Sequence, residues 1–300
     1  MIDFEEEIKK LKPDIAVVTT LSLLKDVYDI LMICAKNGVN AITSCEEAIY
    51  PWNSSPELTK KLDEAAKKTG VTITGSGAQD LQWGSTINNL AAGINNITKI
   101  SGRQQNNVDD YGIAFAESFG AGLDPDEFEA KFGQQNNISE DEVKKQIEKG
   151  EFRPAFMWNS NVWLAERLGF TVKKQTQRLV PEIATEDIES STLGRIIKKG
   201  QLKGATSLVE TYTEEGAIIE AGVKAIVYGP DDHECNNWSI YDGDVVFTTN
   251  QPDPPTVELT CATLINRIPN VINASSGYVT TNNMPECSYM TKTMEHYIEK

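Results

Sequence analysis

The sequence predicts an α/β protein: a partial Rossmann sheet, doubly wound and parallel, followed by an α+β unit with a largely antiparallel sheet. Three observations carry that expectation. Short apolar runs alternate with helical periodicity up to about residue 95. Short helices with strong cap signals crowd the stretch from 113 to 168. Long β-type stretches follow at 204–213, 217–228 and 238–250. At 300 residues the soft expectation is more than one unit, placed here at 1–96 and 97–250, with a segment 251–300 returning to the first.

The elements follow in order. Residues 3–11 read as a helix that Lys12-Pro13 ends. Asp14 to Thr19 is an apolar run suited to a buried parallel strand. Leu24, Val27, Leu31, Cys34 and Ala35 recur at helical spacing, and Gly38 closes that helix. Val39–Thr43 is the next strand, and Ser55-Pro56 opens a helix that stops at Gly70. Val71–Thr74 is a third strand, after which Asp80 caps a helix over 81–92. Beyond Ile97 the pattern predicts helices at 113–119, 125–132, 139–149 and 158–168, two of them opened by capping-box spacing at Asp124 and Ser139. Thr213-Glu214-Glu215-Gly216 suits a hairpin turn. After Pro252, Pro254 and Pro255 a helix spans 256–268.

Composition narrows the function. A net charge of −16 repels phosphate backbones and anionic membranes, so neither nucleic acid nor a membrane is an expected partner. No apolar run approaches the about 18 residues needed to span a bilayer. The five cysteines show no CxxC spacing, which fits a reducing cytoplasm. With two histidines, a histidine-rich metal site and a Ser-His-Asp triad are both disfavoured. Asp231 to Cys235 holds metal-capable side chains, but adjacent residues cannot all converge, and no metal is expected.

The chemistry-bearing stretch is Asn40 to Trp52, where Glu46-Glu47 follows a strand and precedes a Tyr-Pro-Trp turn. Parallel sheets bind ligands at the carboxyl ends of their strands. Two acids there are solvated loop charges or working groups, and spacing alone leaves both open. Gly75 to Asp80 imitates the start of a dinucleotide loop, but Asp80 stands where the third glycine should be and would put a negative charge at the pyrophosphate position, so the stretch reads as a glycine turn with an Asp cap at the edge of a ligand cleft. Thr19, Thr20 and Ser22 after the first strand suit either a nucleotide or a helix cap. Trp83 and Tyr111 suit pocket walls, and Asn106 to Gly112 suits a polar turn.

ITSCEEAIYPW, GSGAQD, NNVDDYG with GAGL, PAFMWN and VELTCATLINRIPNVINASSGYVTT together resemble the amine dehydrogenases of the dihydrodipicolinate-reductase-like superfamily. That group includes 2,4-diaminopentanoate and 3,5-diaminohexanoate dehydrogenases and native amine dehydrogenases using NAD or NADP. The resemblance runs from about residue 12 to 282. It implies a Rossmann unit joined to an α+β unit that dimerises through its sheet. It puts the catalytic glutamate at Glu46, pocket aromatics at Trp83 and Tyr111, and cofactor contacts at Thr19 and Thr20, with Gln79 in the same cleft. Such relatives begin with a strand and a GxGxxG loop that this sequence does not contain. The expectation is therefore an N-terminally incomplete version, or one binding cofactor weakly.

The expected reaction is oxidative deamination of an amine or diamino acid, or reductive amination of a ketone with ammonia. Glu46 would hold the amine and shuttle its protons. Arg178 is a candidate partner for a substrate carboxylate, or a plain surface arginine. The alternatives are a non-catalytic or cofactor-deficient homodimer that keeps the fold, and an imine reductase.

Overall fold

Asp3 caps helix α1 (Phe4–Leu11) in the computed structural model, which describes residues 3–136 and 138–299. Strands β1 (Ile15–Val18), β2 (Asn40–Thr43) and β3 (Thr72–Gly75) pair in parallel, and helices α2 (Leu24–Lys36) and α3 (Pro56–Thr69) connect them. A two-residue strand near the C-terminus, β12 (Gly277–Tyr278), adds in parallel beside β3. Alternation decides which helix covers which face. Ala41 and Ile73 join a core with Leu24, Val27, Leu31 and Leu62, from α2 and α3. Ile42 points the other way, to Leu264 and Val271 of helix α9 (Thr256–Asn273).

The second sheet has six strands: β4 (Lys99–Asn107), β5 (Val172–Ile183), β8 (Leu202–Thr213), β9 (Ile218–Ile226), β10 (Cys235–Asp242) and β11 (Asp244–Pro252). Their order is β11-β10-β4-β9-β8-β5, and β6 (Ile188–Ser190) and β7 (Arg195–Ile197) form a separate hairpin. Short helices α4 (Thr86–Ala91), α5 (Ile113–Ser118), α6 (Pro125–Phe132) and α7 (Glu140–Lys149) surround it. Helix α8 (Trp158–Leu168) sits between the sheets and is buried over its first eight residues. Its Trp163 is fully buried, donates to Thr281 Oγ1 at 3.0 Å, and lies where any Cβ on Gly84 would collide with the ring. No helix of the described residues is long and apolar enough to cross a membrane.

Several elements depart from the sequence expectation. The turn after β3 is a π-helix, Gln79–Ser85, before α4, and Asp80 does not cap it. Its carboxylate is buried against Arg267 instead. Ser22 does not cap α2, which starts from Leu23; Ser55 holds the N-cap position of α3 as expected, but its hydroxyl turns to Glu47 instead of the helix. The stretch 238–250 belongs to two strands, β10 and β11, folded at Gly243 (φ 74°). The second sheet is largely antiparallel, as expected, with one parallel pair, β4 and β9. Helix α9 continues past 268 to Asn273 although Pro269 lies inside it.

Candidate active site

The three parallel strands release their carboxyl ends on one side, and three loops meet there. The loop after β2 is a tight 3-10 turn, Glu46–Ile49. It lies so close to β3 that a Cβ on Gly75 would strike the Ala48 carbonyl, so only glycine fits that strand end. Two distant residues fix the turn. Asn159 Nδ2 of α8 donates to the Glu47 carbonyl at 2.8 Å, and the Tyr278 hydroxyl donates to the Ala48 carbonyl at 2.6 Å.

The paired acids part company here. Glu47 is buried and its carboxylate accepts from Leu24 N at 2.7 Å and from the Ser54 and Ser55 hydroxyls, each at 2.6 Å. It thus caps α2 from another loop and closes its own. Glu46 faces a cavity of about 530 Å³. Burial pushes its carboxyl above the usual 4.5, against hydrogen bonds from Ser22 and its own backbone that favour the charge. Among the described residues Glu46 makes no ion pair.

The same cavity is lined by Thr19, Thr20, Gln79, Trp83, Tyr111 and Arg178. Thr19 and Thr20 are exposed at the end of β1. Gln79 is buried, and among the described residues neither its Nε2 nor the indole nitrogen of Trp83 has a partner. Tyr111 starts an aromatic wall through Phe115 and Phe119, with ring centroids 4.9 and 5.0 Å apart, and Phe156 leans on both phenylalanines. Burial, then the charge of Glu234, holds the Tyr111 hydroxyl well above its usual range, so it stays protonated. Arg178 reaches only the edge. It is exposed, its strand partner is Leu208, and alternation turns it to the face opposite Gln177, near Tyr212.

Gln104, Phe115, Phe119 and Arg153, which the sequence did not single out, also line the cavity, as does Asn106, which belongs to β4 and not to the polar turn expected there. Tyr111, Phe115 and Phe119 recur every fourth residue, a signal of one helical face that was available. Gln104 and Asn106 could be paired only once β4 was known. No cluster of three or more His, Cys, Asp or Glu suited to a metal occurs among the described residues. Asp232 is engaged by Lys203 at 2.8 Å and by Gly229 N.

A parallel sheet with loops converging on a cavity that a second sheet closes defines the architecture of a two-part, Rossmann-related oxidoreductase. Residues 84–300 match the family model for the 2,4-diaminopentanoate dehydrogenase C-terminal domain, and the chain belongs to that family of amine dehydrogenases. It is 23% identical over 291 residues to the 2,4-diaminopentanoate dehydrogenase of Acetoanaerobium sticklandii, covering 94% of this chain and 76% of that one. It is similar in structure to the amine dehydrogenase from Mycobacterium smegmatis, with a TM-score of 0.84 and 35% identity, covering 96% of this chain and 80% of that one. The resemblance read from the motifs is the family that these comparisons show. Membership makes the chain an oxidoreductase of the CH–NH₂ class.

Proposed function

We propose that the protein is an amine dehydrogenase dependent on NAD or NADP, interconverting an amine with a ketone and ammonia. The observation that carries the reading is the isolation of Glu46. A half-buried carboxyl on the cavity wall that makes no ion pair among the described residues suits a ligand that brings the positive charge itself. Ammonium, a protonated amine and an iminium all do so. As a carboxylate, Glu46 pairs with the ammonium, accepts its proton, and returns one when the direction reverses. The fixed negative charge favours an iminium more than the neutral ketone or amine. Trp83, Tyr111 and Phe115 exclude water around it, and desolvation strengthens each of these interactions.

The residues present fit a nicotinamide group. Gln79 offers an unpartnered buried amide on the same cavity as Glu46, and Thr19 and Thr20 offer hydroxyls at the adjoining strand end. When bound, nicotinamide supplies or takes the hydride. A substrate carboxylate would meet Arg153 at the edge, since Arg178 turns to the other face of β5.

The test follows nicotinamide absorbance with amines plus NAD or NADP, and with ketones plus ammonium and the reduced cofactors. Ammonia-dependent consumption of NADH or NADPH is the expected result. Consumption that proceeds with primary amines but never with ammonia would turn the reading toward an imine reductase. Two copies are further proposed to associate through the six-stranded sheet, whose face away from the cavity carries Leu208 and Tyr212. Light scattering should then give a mass near twice 33.1 kDa, and a monomer at micromolar concentration would sink that proposal.

A further inference from the structure

The same cavity is lined by two neutral amides of β4, and their hydrogen-bond inventory is incomplete. Gln104 and Asn106 lie two apart on β4, in the middle of the six-stranded sheet, and therefore on one face. Each is only 5% exposed. Gln104 Nε2 donates to Asn106 Oδ1 at 3.0 Å. That bond uses one donor and one acceptor of the pair. Among the described residues, Gln104 Oε1 is buried without a partner and Asn106 Nδ2 makes no hydrogen bond. Exchanging oxygen and nitrogen in both amides keeps the mutual bond and leaves the same remainder, one acceptor and one donor. Trp83 Nε1 adds a second unpartnered donor on the same cavity.

Buried polar atoms are costly unless something satisfies them. A sheet interior normally offers hydrocarbon at such positions. What these amides lack is a partner that both accepts and donates. A carboxylate cannot donate to Gln104 Oε1. An ammonium cannot accept from Asn106 Nδ2 or Trp83 Nε1. A hydroxyl does both. We infer that Gln104 and Asn106, with Trp83, form a subsite for a substrate hydroxyl, so that the protein prefers hydroxyketones and their amino-alcohol products over purely alkyl ketones. The inference rests on the dehydrogenase reading for the reacting carbon, which stays with Glu46, while the aromatic wall takes the hydrocarbon.

The test compares three ketones of equal heavy-atom count: hydroxyacetone, butan-2-one and aminoacetone. Reductive amination is followed with ammonium and NADH or NADPH, and binding is followed separately as the rise in unfolding temperature with ketone alone. Hydroxyacetone should exceed each of the others by about 10²-fold in kcat/KM, since a site built to bond a hydroxyl rejects its absence strongly. Gln104→Met keeps the volume and should bring that ratio to within a few-fold of one, mainly through KM. Trp83→Phe keeps most of the ring, removes one donor, and should lower the ratio by about 3-fold even if Gln104→Met fails to fold. Equal turnover of hydroxyacetone and butan-2-one overturns the subsite and leaves the dehydrogenase reading standing. So does a preference for aminoacetone, or a hydroxyacetone preference that survives both variants. Selective stabilisation by hydroxyacetone without turnover of any ketone keeps the subsite and overturns the dehydrogenase reading. No selective stabilisation and no turnover overturns both.

Discussion

Asp80 and Glu46 are acids at the carboxyl ends of neighbouring strands, and their surroundings are opposite. Asp80 is wholly buried and wholly partnered: Arg267 Nε and Nη2 donate to it at 2.8 and 2.9 Å, and the Ser76 hydroxyl at 2.7 Å. The remaining Arg267 nitrogen donates to the Pro285 carbonyl. This pair ties the π-helical turn to α9 and to the chain beyond it. Glu46 is half-buried on the cavity wall and makes no ion pair among the described residues. A buried carboxylate that the protein itself neutralises belongs to the scaffold. One left for a visitor to neutralise belongs to the chemistry.

The largest expected effect tests the scaffold side. Arg267→Met strands the Asp80 charge in the interior, and breaking one partner of a buried pair costs about 3–5 kcal/mol. Asp80→Asn combined with Arg267→Met should cost clearly less than the sum of the single changes, because the stranded charge is gone. Urea denaturation reads both. A loss below about 1 kcal/mol for Arg267→Met would show that the pair is not what fixes the turn.

Glu46→Gln tests the other side. It preserves size and removes the proton acceptor, so turnover should fall by about 10²-fold or more, roughly 2.7 kcal/mol of barrier, with the circular dichroism spectrum unchanged. Turnover within a few-fold of the parent would move the role to another group. Glu47→Gln should behave in reverse. One acceptor oxygen is lost among Leu24 N, Ser54 and Ser55, at about 1–3 kcal/mol of stability. Asn159 and Tyr278 still hold the turn, so turnover below the melting range should stay within about 10-fold.

These contrasts also mark how far the sequence could be read. The helices opened by Asp124 and Ser139 were legible because their caps are local: Glu127 returns to Asp124 N at 3.0 Å, and Ser139 accepts from Glu142 N at 3.2 Å. β5 was missed because it is an edge strand, with Lys173 and Lys174 exposed and Pro181 in its length, so it lacks apolar alternation. The Asp242-Gly243 turn between β10 and β11 did carry a hairpin signal that a single long stretch hid. Asp80 gave a local cap signal, yet its partner is 187 positions away and overrode it. The division of labour between Glu46 and Glu47 was equally nonlocal. Spacing offers two adjacent acids, and only the fold brings Leu24, Ser54 and Ser55 to the second. The amide pair needed the register of β4 between β10 and β9 before Gln104 and Asn106 shared a cavity with Glu46.

The smallest effect separates Glu46 from Asp80 without any substrate. The Glu46 carboxyl is raised above 4.5 by burial, so between 4.5 and its folded value the native protein keeps a proton that the unfolded chain has released. Stability therefore falls as pH rises through the folded value, and below 4.5, where both states are protonated, the penalty is absent. Glu46→Gln removes that fall, because the amide is neutral throughout. The variant should melt slightly above the parent at pH 8, and the gap should close toward pH 4, other titrating groups cancelling in the difference. A carboxyl serving the scaffold would give the opposite sign, with the variant less stable at pH 8. A melting difference that is negative at pH 8, or that does not change between pH 4 and 8, would place Glu46 beside Asp80 and remove the contrast on which its chemical role rests.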